Sequence, residues 1–342
     1  MPQDAQTILP LEPPADVPEM QQGNWGILPP SDALAEYLAA NHWERPAPPA
    51  AWEVARLSHA AYVYRETSMQ WTVLAKFYVT KTGSSAIKYA HHEFEATQRA
   101  RASGLASDPV RAVRPLGAWR GVLLLEYVDG LTLEDMIAIR RSRPGNLTPR
   151  LEHVAECLAT LHVHGIQLDA PPDFETSVSY AHKLVDNLNK HGVLQDDPIL
   201  RHGLLRAVDR WAVRPMMHNF TPTFTHGDAT TSNFIFPGDG RLVVIDWERF
   251  KVADPAADLG RLTAEVSHTV NQQGGNVAEA TPLLQHMVDA YRQALPADWD
   301  ADELTERARF YQATSTLRIA RNGWLSRLDR MALVAQALAL LT

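Results

Sequence analysis

The chain has 342 residues, 45% hydrophobic and 21% charged, which describes an ordinary globular protein with more chain than one hydrophobic core usually serves. A formal net charge of −8 and a pI near 5.9 argue against nucleic acid or an anionic membrane as the main partner, since both need a basic face. One cysteine, Cys157, excludes an intrachain disulfide framework and suits a reducing cytosol.

Residues 1–50 are rich in proline and read as an arm that cannot hold a sheet or a long helix. Ser31–His42 is the exception, with Leu34, Tyr37 and Leu38 at helical spacing behind a Ser31/Asp32 cap. The first Lys or Arg is Arg45, so the start lacks the positive charge of a signal peptide. The most apolar runs, Val122–Leu125 and Met331–Leu341, are too short or interrupted to span a bilayer. The expectation is a cytoplasmic protein.

From Trp52 the pattern turns to β, with short strands predicted over Glu53–Leu57, Ala61–Glu66 and Trp71–Val79. The third carries Lys76 in an otherwise apolar run, which is costly unless the ammonium is paired or the strand lies at an edge facing solvent. A helix over Ser85–Ala102 offers two partners, Glu93 and Glu95, which diverge by about 200° around the helix axis. Val113–Trp119 and Gly121–Val128 complete a five-stranded sheet with one helix. Beyond Gly130 the chain becomes helical, with Thr132 capping Leu133–Ser142 and Thr148-Pro149 opening a helix that places Leu151, Val154, Leu158 and Leu161 on one face. Cys157 on that helix reads as a buried structural thiol. His162 and His164 near its end suit surface or capping roles, since no Cys or carboxylate spacing supports a metal site. Ser177–Lys190 and Pro198–Met217 follow as amphipathic helices.

The stretch Thr225–Glu248, THGDATTSNFIFPGDGRLVVIDWE, carries the chemistry. His226–Asn233 reads as a polar loop, and Phe234–Phe236 and Arg241–Ile245 as a hairpin about the Pro237-Gly238-Asp239-Gly240 turn. Asp228 and Asn233 then stand at the two ends of one loop, and Asp246 emerges from the partner strand. Phosphoryl transfer needs such a set: an Asp to accept the proton of the attacking hydroxyl, and an Asn five residues on with a second Asp to hold the Mg²⁺ that bridges the nucleotide phosphates. A hairpin whose Asp and Asn residues only satisfy turn hydrogen bonds explains any one of these residues, but not the whole ordered set.

His226-Gly227-Asp228 with Asn233, then Ile245-Asp246-Trp247-Glu248 and Asp254-Pro255-Ala256-Ala257-Asp258-Leu259, resembles the aminoglycoside phosphotransferase family, part of the protein-kinase-like superfamily with choline, homoserine-like and sugar kinases. The resemblance runs from about Trp52 to the C-terminus and is strong at these motifs. It implies an α+β, bilobal protein-kinase-like fold: the arm over 1–50, a small antiparallel N-lobe over 51–128 with a hinge about 126–130, and a mainly helical C-lobe over 131–342. It implies that Asp228 is the base, that Asn233 and Asp246 hold Mg²⁺, and that ATP is the co-substrate. Lys76 would meet the ATP phosphates and pair with Glu93, the choice that matches the family's Arg-Glu-x-x-Ala run in His92-Glu93-Phe94-Glu95-Ala96. Backbone groups of Glu126 and Val128 would meet the adenine edge. His226 and Asp258 would brace the loop, though Asp254 and Asp258 also suit the start of a helix over Ala256–Val270 on electrostatic grounds alone. Further helices are expected from about Asn276, Asp302 and Leu325.

Two departures stand out. No glycine-rich loop covers the phosphates, and Ser58 in Leu57-Ser58-His59-Ala60-Ala61 is the remaining candidate there. Thr230 takes the place two residues after Asp228 where such enzymes keep a lysine or histidine, so a cation for the transition state is missing from the motif. The implied partner is a small-molecule hydroxyl acceptor, an aminoglycoside, sugar or amino alcohol. A cationic acceptor calls for an acidic lining, for which Asp298-Trp299-Asp300-Ala301-Asp302-Glu303 is the candidate, with helix capping as its other reading. Trp299 and Trp324 suit stacking on a sugar or core packing. A nucleotide-binding pseudokinase acting as scaffold is the alternative from another class.

Overall fold

Trp52–Arg56 (β2), Ala61–Glu66 (β3) and Thr72–Phe77 (β4) pair antiparallel; β4 alternates buried and half-exposed residues, while β2 and β3 carry consecutive buried positions and so are covered on both faces there. This is a computed structural model, and it describes residues 9–20, 24–41, 51–68, 71–81, 83–238 and 240–342. Part of the predicted arm (1–8, 21–23 and 42–50) and Asp239 of the hairpin turn lie outside those residues. The chain forms two units, Met1–Arg99 with Val113–Asp129, and Ala100–Ala112 with Gly130–Thr342.

The first unit is a six-stranded sheet and not the five-stranded one predicted. Gly26–Ile27 (β1) adds to the edge of β2, and Pro115–Trp119 (β6) and Val122–Glu126 (β7) continue beyond β4. Two residues just ahead of Leu28-Pro29-Pro30 leave no β pattern to read, yet Leu28 N–H still donates to Trp52 O at 2.9 Å. The helix Ala33–Asn41 (α1) is no loose appendage. Leu34 and Leu38 are fully buried against Val54, Tyr64, Val73 and Phe77. Asp32 caps it by accepting from Ala35 N–H at 2.8 Å. The helix Ser84–Ala102 (α2) carries Glu93 on its buried face.

In the second unit, Val110–Ala112 (β5) runs parallel to Leu242–Val244 (β11), which pairs with Phe234–Phe236 (β10) and through it with Leu131–Thr132 (β8). The β10–β11 pair is the predicted hairpin. Thr223–Thr225 (β9) pairs with Lys251–Ala253 (β12). Around these strands stand Leu133–Ala138 (α3), Leu147–His164 (α4), Glu175–Lys190 (α5), Pro198–Ala212 (α6), Ala256–Gln272 (α7), Val277–Ala294 (α8), Ala301–Ala320 (α9) and Arg327–Leu341 (α10). Their starts are written in their caps: Thr132 with Asp135 as a capping box, then Asp197, Asn276, Asp300 and Ser326. The predicted helix to Met217 stops at Ala212. Pro215 has no N–H and clashes with a continuing helix, so a separate turn forms over Pro215–Met217. Among the described residues no helix is long and apolar enough to cross a membrane.

The packing of α7 on α9 sets the surroundings of the loop after β9, because both helices deliver residues to it. Gly260 sits at their contact. A Cβ there would overlap Ala308 O and come within 2.6 Å of Tyr311 Cβ. Gly260→Ala should therefore lower unfolding stability by about 1–3 kcal/mol despite its better helix propensity; urea denaturation of the variant should show the midpoint falling and not rising.

Candidate active site

β9 leads into His226-Gly227-Asp228, and the backbone there is held by a carboxylate. Asp258, in the first turn of α7, accepts from His226 N–H at 2.6 Å with one oxygen and from Gly227 N–H at 2.9 Å with the other. Asp258 is buried, and His162 Nε2 stands 3.2 Å from it while His162 Nδ1 meets the Tyr291 hydroxyl at 2.6 Å. Burial by itself would push this carboxyl up. The hydrogen bond to His162, the neighbouring imidazoles and the Gly227 N–H outweigh that, and its pKa lies below the ordinary aspartate value. Gly227 has φ of 77°, and a Cβ would overlap the Arg249 carbonyl, so the turn requires glycine. His226 Nδ1 accepts from Asp228 N–H at 3.2 Å, so Nε2 is the nitrogen that donates to Ile245 O at 2.9 Å. The ring bridges the loop to the end of β11 and packs 4.5 Å from Trp247.

Asp228 itself is nearly buried and set among guanidinium groups. Its Oδ1 lies 2.8 Å from Arg261 and 3.2 Å from Arg318, and its Oδ2 lies 3.5 Å from Arg249. Arg261 stands on α7 one turn after Asp258, and Arg318 near the end of α9. The motif lacks a cation at Thr230, and these three arginines from outside it bring positive charge to the same carboxylate. Thr230 keeps a local role, its hydroxyl 3.1 Å from that of Ser232.

Asn233 closes the loop. Its amide donates to Asp228 O at 2.9 Å, which leaves its side-chain oxygen as an acceptor. Ile245 N–H donates to Asn233 O at 3.0 Å, so Asp246 leaves β11 next to Asn233. Asp246 has φ of 64°, a conformation sparsely populated by residues other than glycine. A carboxylate oxygen of Glu248 lies within 4.8 Å of one of Asp246, a proximity the motif spacing alone did not single out. These oxygens suit a hard cation such as Mg²⁺.

The first unit holds the other candidates. Lys76 Nζ on β4 lies 2.8 Å from Glu93 Oε2, and the Tyr78 hydroxyl meets the same oxygen. Glu95 is exposed on a different face of α2. Glu126 ends β7 and its carboxylate accepts from Arg114 N–H at 2.6 Å, while Val128 follows two residues beyond the strand. Ser58 is exposed and its oxygen accepts from Ala60 and Ala61 N–H within its own turn, at 3.3 and 3.1 Å.

One expectation needs correction, and one pair of alternatives is resolved. His162 is wholly buried and fastened to Asp258 and Tyr291, not a surface or capping residue. Its partners lie about a hundred residues away in sequence, which local spacing cannot reveal. In the acidic run, Asp300 caps α9 through Glu303 N–H at 2.8 Å and Asp302 pairs with Arg292 at 2.5 Å, as helix-start chemistry requires. Asp254, the other acid before α7, is buried and held by Arg307 at 2.9 Å.

Removing the Asp258 charge should be expensive. Asp258→Asn leaves buried loop N–H groups competing for one neutral oxygen, with an expected loss of about 3–5 kcal/mol. Because the folded pKa is depressed, this contribution is present above the unfolded carboxyl value of about 3.9 and is lost as pH falls through the folded value. In urea titrations the gap between wild type and variant should hold from neutral pH to about pH 5 and narrow below about pH 4.

The sequence pattern of the phosphotransferase enzyme family matches residues 54–311. Among solved structures, the aminoglycoside phosphotransferase APH(2'')-IIa in ternary complex with streptomycin and ATP is 16% identical with a TM-score of 0.56, covering 91% of this chain and 97% of that one. Choline kinase LicA from Streptococcus pneumoniae is 17% identical with a TM-score of 0.55, covering 90% and 97%. Plasmodium vivax ethanolamine kinase is 16% identical with a TM-score of 0.53, covering 82% and 77%. At these identities the likeness is one of fold, a small antiparallel sheet region followed by a helical part. With a family pattern spanning well over half of its length, the chain belongs to the aminoglycoside phosphotransferase family and is a small-molecule phosphotransferase with an alcohol group as acceptor.

Proposed function

We propose that the chain transfers the γ-phosphoryl group of ATP to a hydroxyl of a small molecule, with Asp228 as the general base. The carrying observation is the state of Asp228: its Oδ1 is occupied by Arg261 and Arg318, while Oδ2 has only the longer contact to Arg249. A hydroxyl that hydrogen-bonds to Oδ2 is oriented by a carboxylate that cannot rotate away. As the acceptor oxygen forms its bond to the γ-phosphorus, the bond to the β–γ bridging oxygen breaks and ADP leaves with that electron pair. The hydroxyl proton passes to Asp228 Oδ2 and then to solvent. The arginines put positive charge where the reacting oxygens are negative, in place of the cation missing at Thr230.

Asn233 and Asp246 are the residues that would hold Mg²⁺. The Asn233 oxygen is fixed in direction because its amide nitrogen is tied to Asp228 O. When bound, that ion neutralises phosphate charge on the nucleotide. Lys76, held by Glu93, is assigned to the ATP phosphates, and backbone groups of Glu126 and Val128 to the adenine edge. Ser58 is the weakest member of the ATP-binding set, since its hydroxyl is engaged in its own turn.

Steady-state kinetics with a validated hydroxyl acceptor test the roles. Asp228→Asn should cut acceptor-dependent kcat by about 10²–10⁴-fold with little change in ATP affinity. Asn233→Ala and Asp246→Ala should instead weaken Mg·ATP binding, and equal small effects of all three would sink the assignments. Lys76→Ala should raise the KM for ATP, and Glu93→Gln should do so less, because the lysine remains but is worse placed. A loss with Glu95→Gln and none with Glu93→Gln would reverse that choice.

A further inference from the structure

Next to the His226–Asp228 loop, the second unit contains a cavity of about 430 Å³ whose walls bring Arg249, Lys251, Arg261 and Arg318 together. The hydroxyls of Ser177 and Tyr180 share the lining. The one acid among the lining residues is Asp258, and both its oxygens are engaged by loop N–H groups and His162. Asp228 is shared among all three arginines, at 2.8, 3.2 and 3.5 Å, and one carboxylate does not balance four cations. Arg261 has a second partner in Glu265 at 3.1 Å, and Arg249 approaches Glu248 only at 3.8 Å. Lys251 is exposed and makes no salt bridge among the described residues; its nearest compensation is a longer-range attraction to Asp173. Arg261 is buried, yet its Nε has no hydrogen-bond partner.

Cations gathered at one cavity repel each other unless an anion joins them, and the flat guanidinium fork matches a carboxylate or phosphate in shape as well as charge. A cationic acceptor would meet like charge on several sides, which is how a site rejects a ligand. In the acidic run expected to line a cationic acceptor site, Asp300 and Asp302 are engaged at the start of α9, and none of the run lines this cavity.

We propose that the acceptor is an anionic hydroxyl compound, carrying a carboxylate or phosphate group that Lys251 and the arginines bind while its hydroxyl faces Asp228. This rests on the phosphotransferase reading above, and it names the acceptor class. Arg318 and Lys251 are then specificity-determining residues.

The test uses the full chain with ADP and Mg²⁺ present and matched probes: gluconate and glucose 6-phosphate, their neutral counterpart glucose, and the cations glucosamine, choline and kanamycin. Binding is read by calorimetry and turnover by acceptor-dependent ADP release with ATP. The anionic probes should bind about tenfold or more tightly than glucose, and the cations more weakly than glucose. Lys251→Met should erase most of that preference while leaving glucose binding unchanged, an outcome that a merely structural role would not give. If glucose or any cation binds as tightly as the anions, or if no anion binds, the acceptor class is wrong. ADP release with such a neutral or cationic acceptor would still leave the phosphotransferase reading standing. Charge-selective binding with no acceptor-dependent ADP release from any probe would instead overturn that reading, and with it the role of the cavity as an acceptor site.

Discussion

The geometry of the site depends on one buried carboxylate. Asp258 gives one oxygen to His226 N–H and the other to Gly227 N–H, so the backbone just before Asp228 cannot shift without breaking two charge-assisted bonds. Those N–H groups would otherwise point into a dry interior with nothing to accept them. His162 and Tyr291 complete the support from α4 and α8, which fixes the rotamer of the carboxylate as well as its charge. The loop that carries Asp228 is thus anchored by three helices and not by its own turn chemistry. The Gly227 turn passes too close to the Arg249 carbonyl for any side chain, so the loop has only one way to pass.

The same helix that anchors the loop also loads it with charge. Asp258 and Arg261 are one turn apart on α7, and Arg318 arrives from α9 because Gly260 lets the two helices approach closely. Packing and electrostatics are therefore one problem here. A wider helix pair would weaken the core and move a guanidinium away from Asp228 in the same step. The arginines also change what the site can bind. Positive charge that the motif lacks at Thr230 is supplied by residues that line a cavity, so it acts on whatever enters as well as on Asp228.

In the first unit the burial of Leu34 and Leu38 shows that apolar spacing outweighs proline content when a short capped helix finds a sheet to cover. The edge strand of two residues follows from that docking, because α1 brings Gly26–Ile27 alongside β2. Lys76 and Glu93 meet at 2.8 Å, which resolves how a lysine is tolerated in an apolar strand: the ammonium is paired, and Tyr78 shares the same acceptor.

What the sequence determined by itself was local. The strands about Lys76, the hairpin after Asn233, the capped helices and the order His226-Gly227-Asp228, Asn233, Asp246 are all set by periodicity, turn residues and spacing within about twenty residues of chain. The α+β class and the family follow from those. What only the tertiary structure decided was which distant residues share a neighbourhood. His162 is buried against Asp258 and Tyr291 across 96 and 129 positions, and Arg318 reaches Asp228 across 90. An arginine on a helix reads as a solvated surface charge whether or not another helix packs over it, and a histidine at a helix end reads as a cap. Burial and ion pairing over such separations are set by helix packing, which pattern along the chain does not encode. The charge of the cavity, and with it the class of molecule it favours, therefore emerges only when α7 and α9 come together.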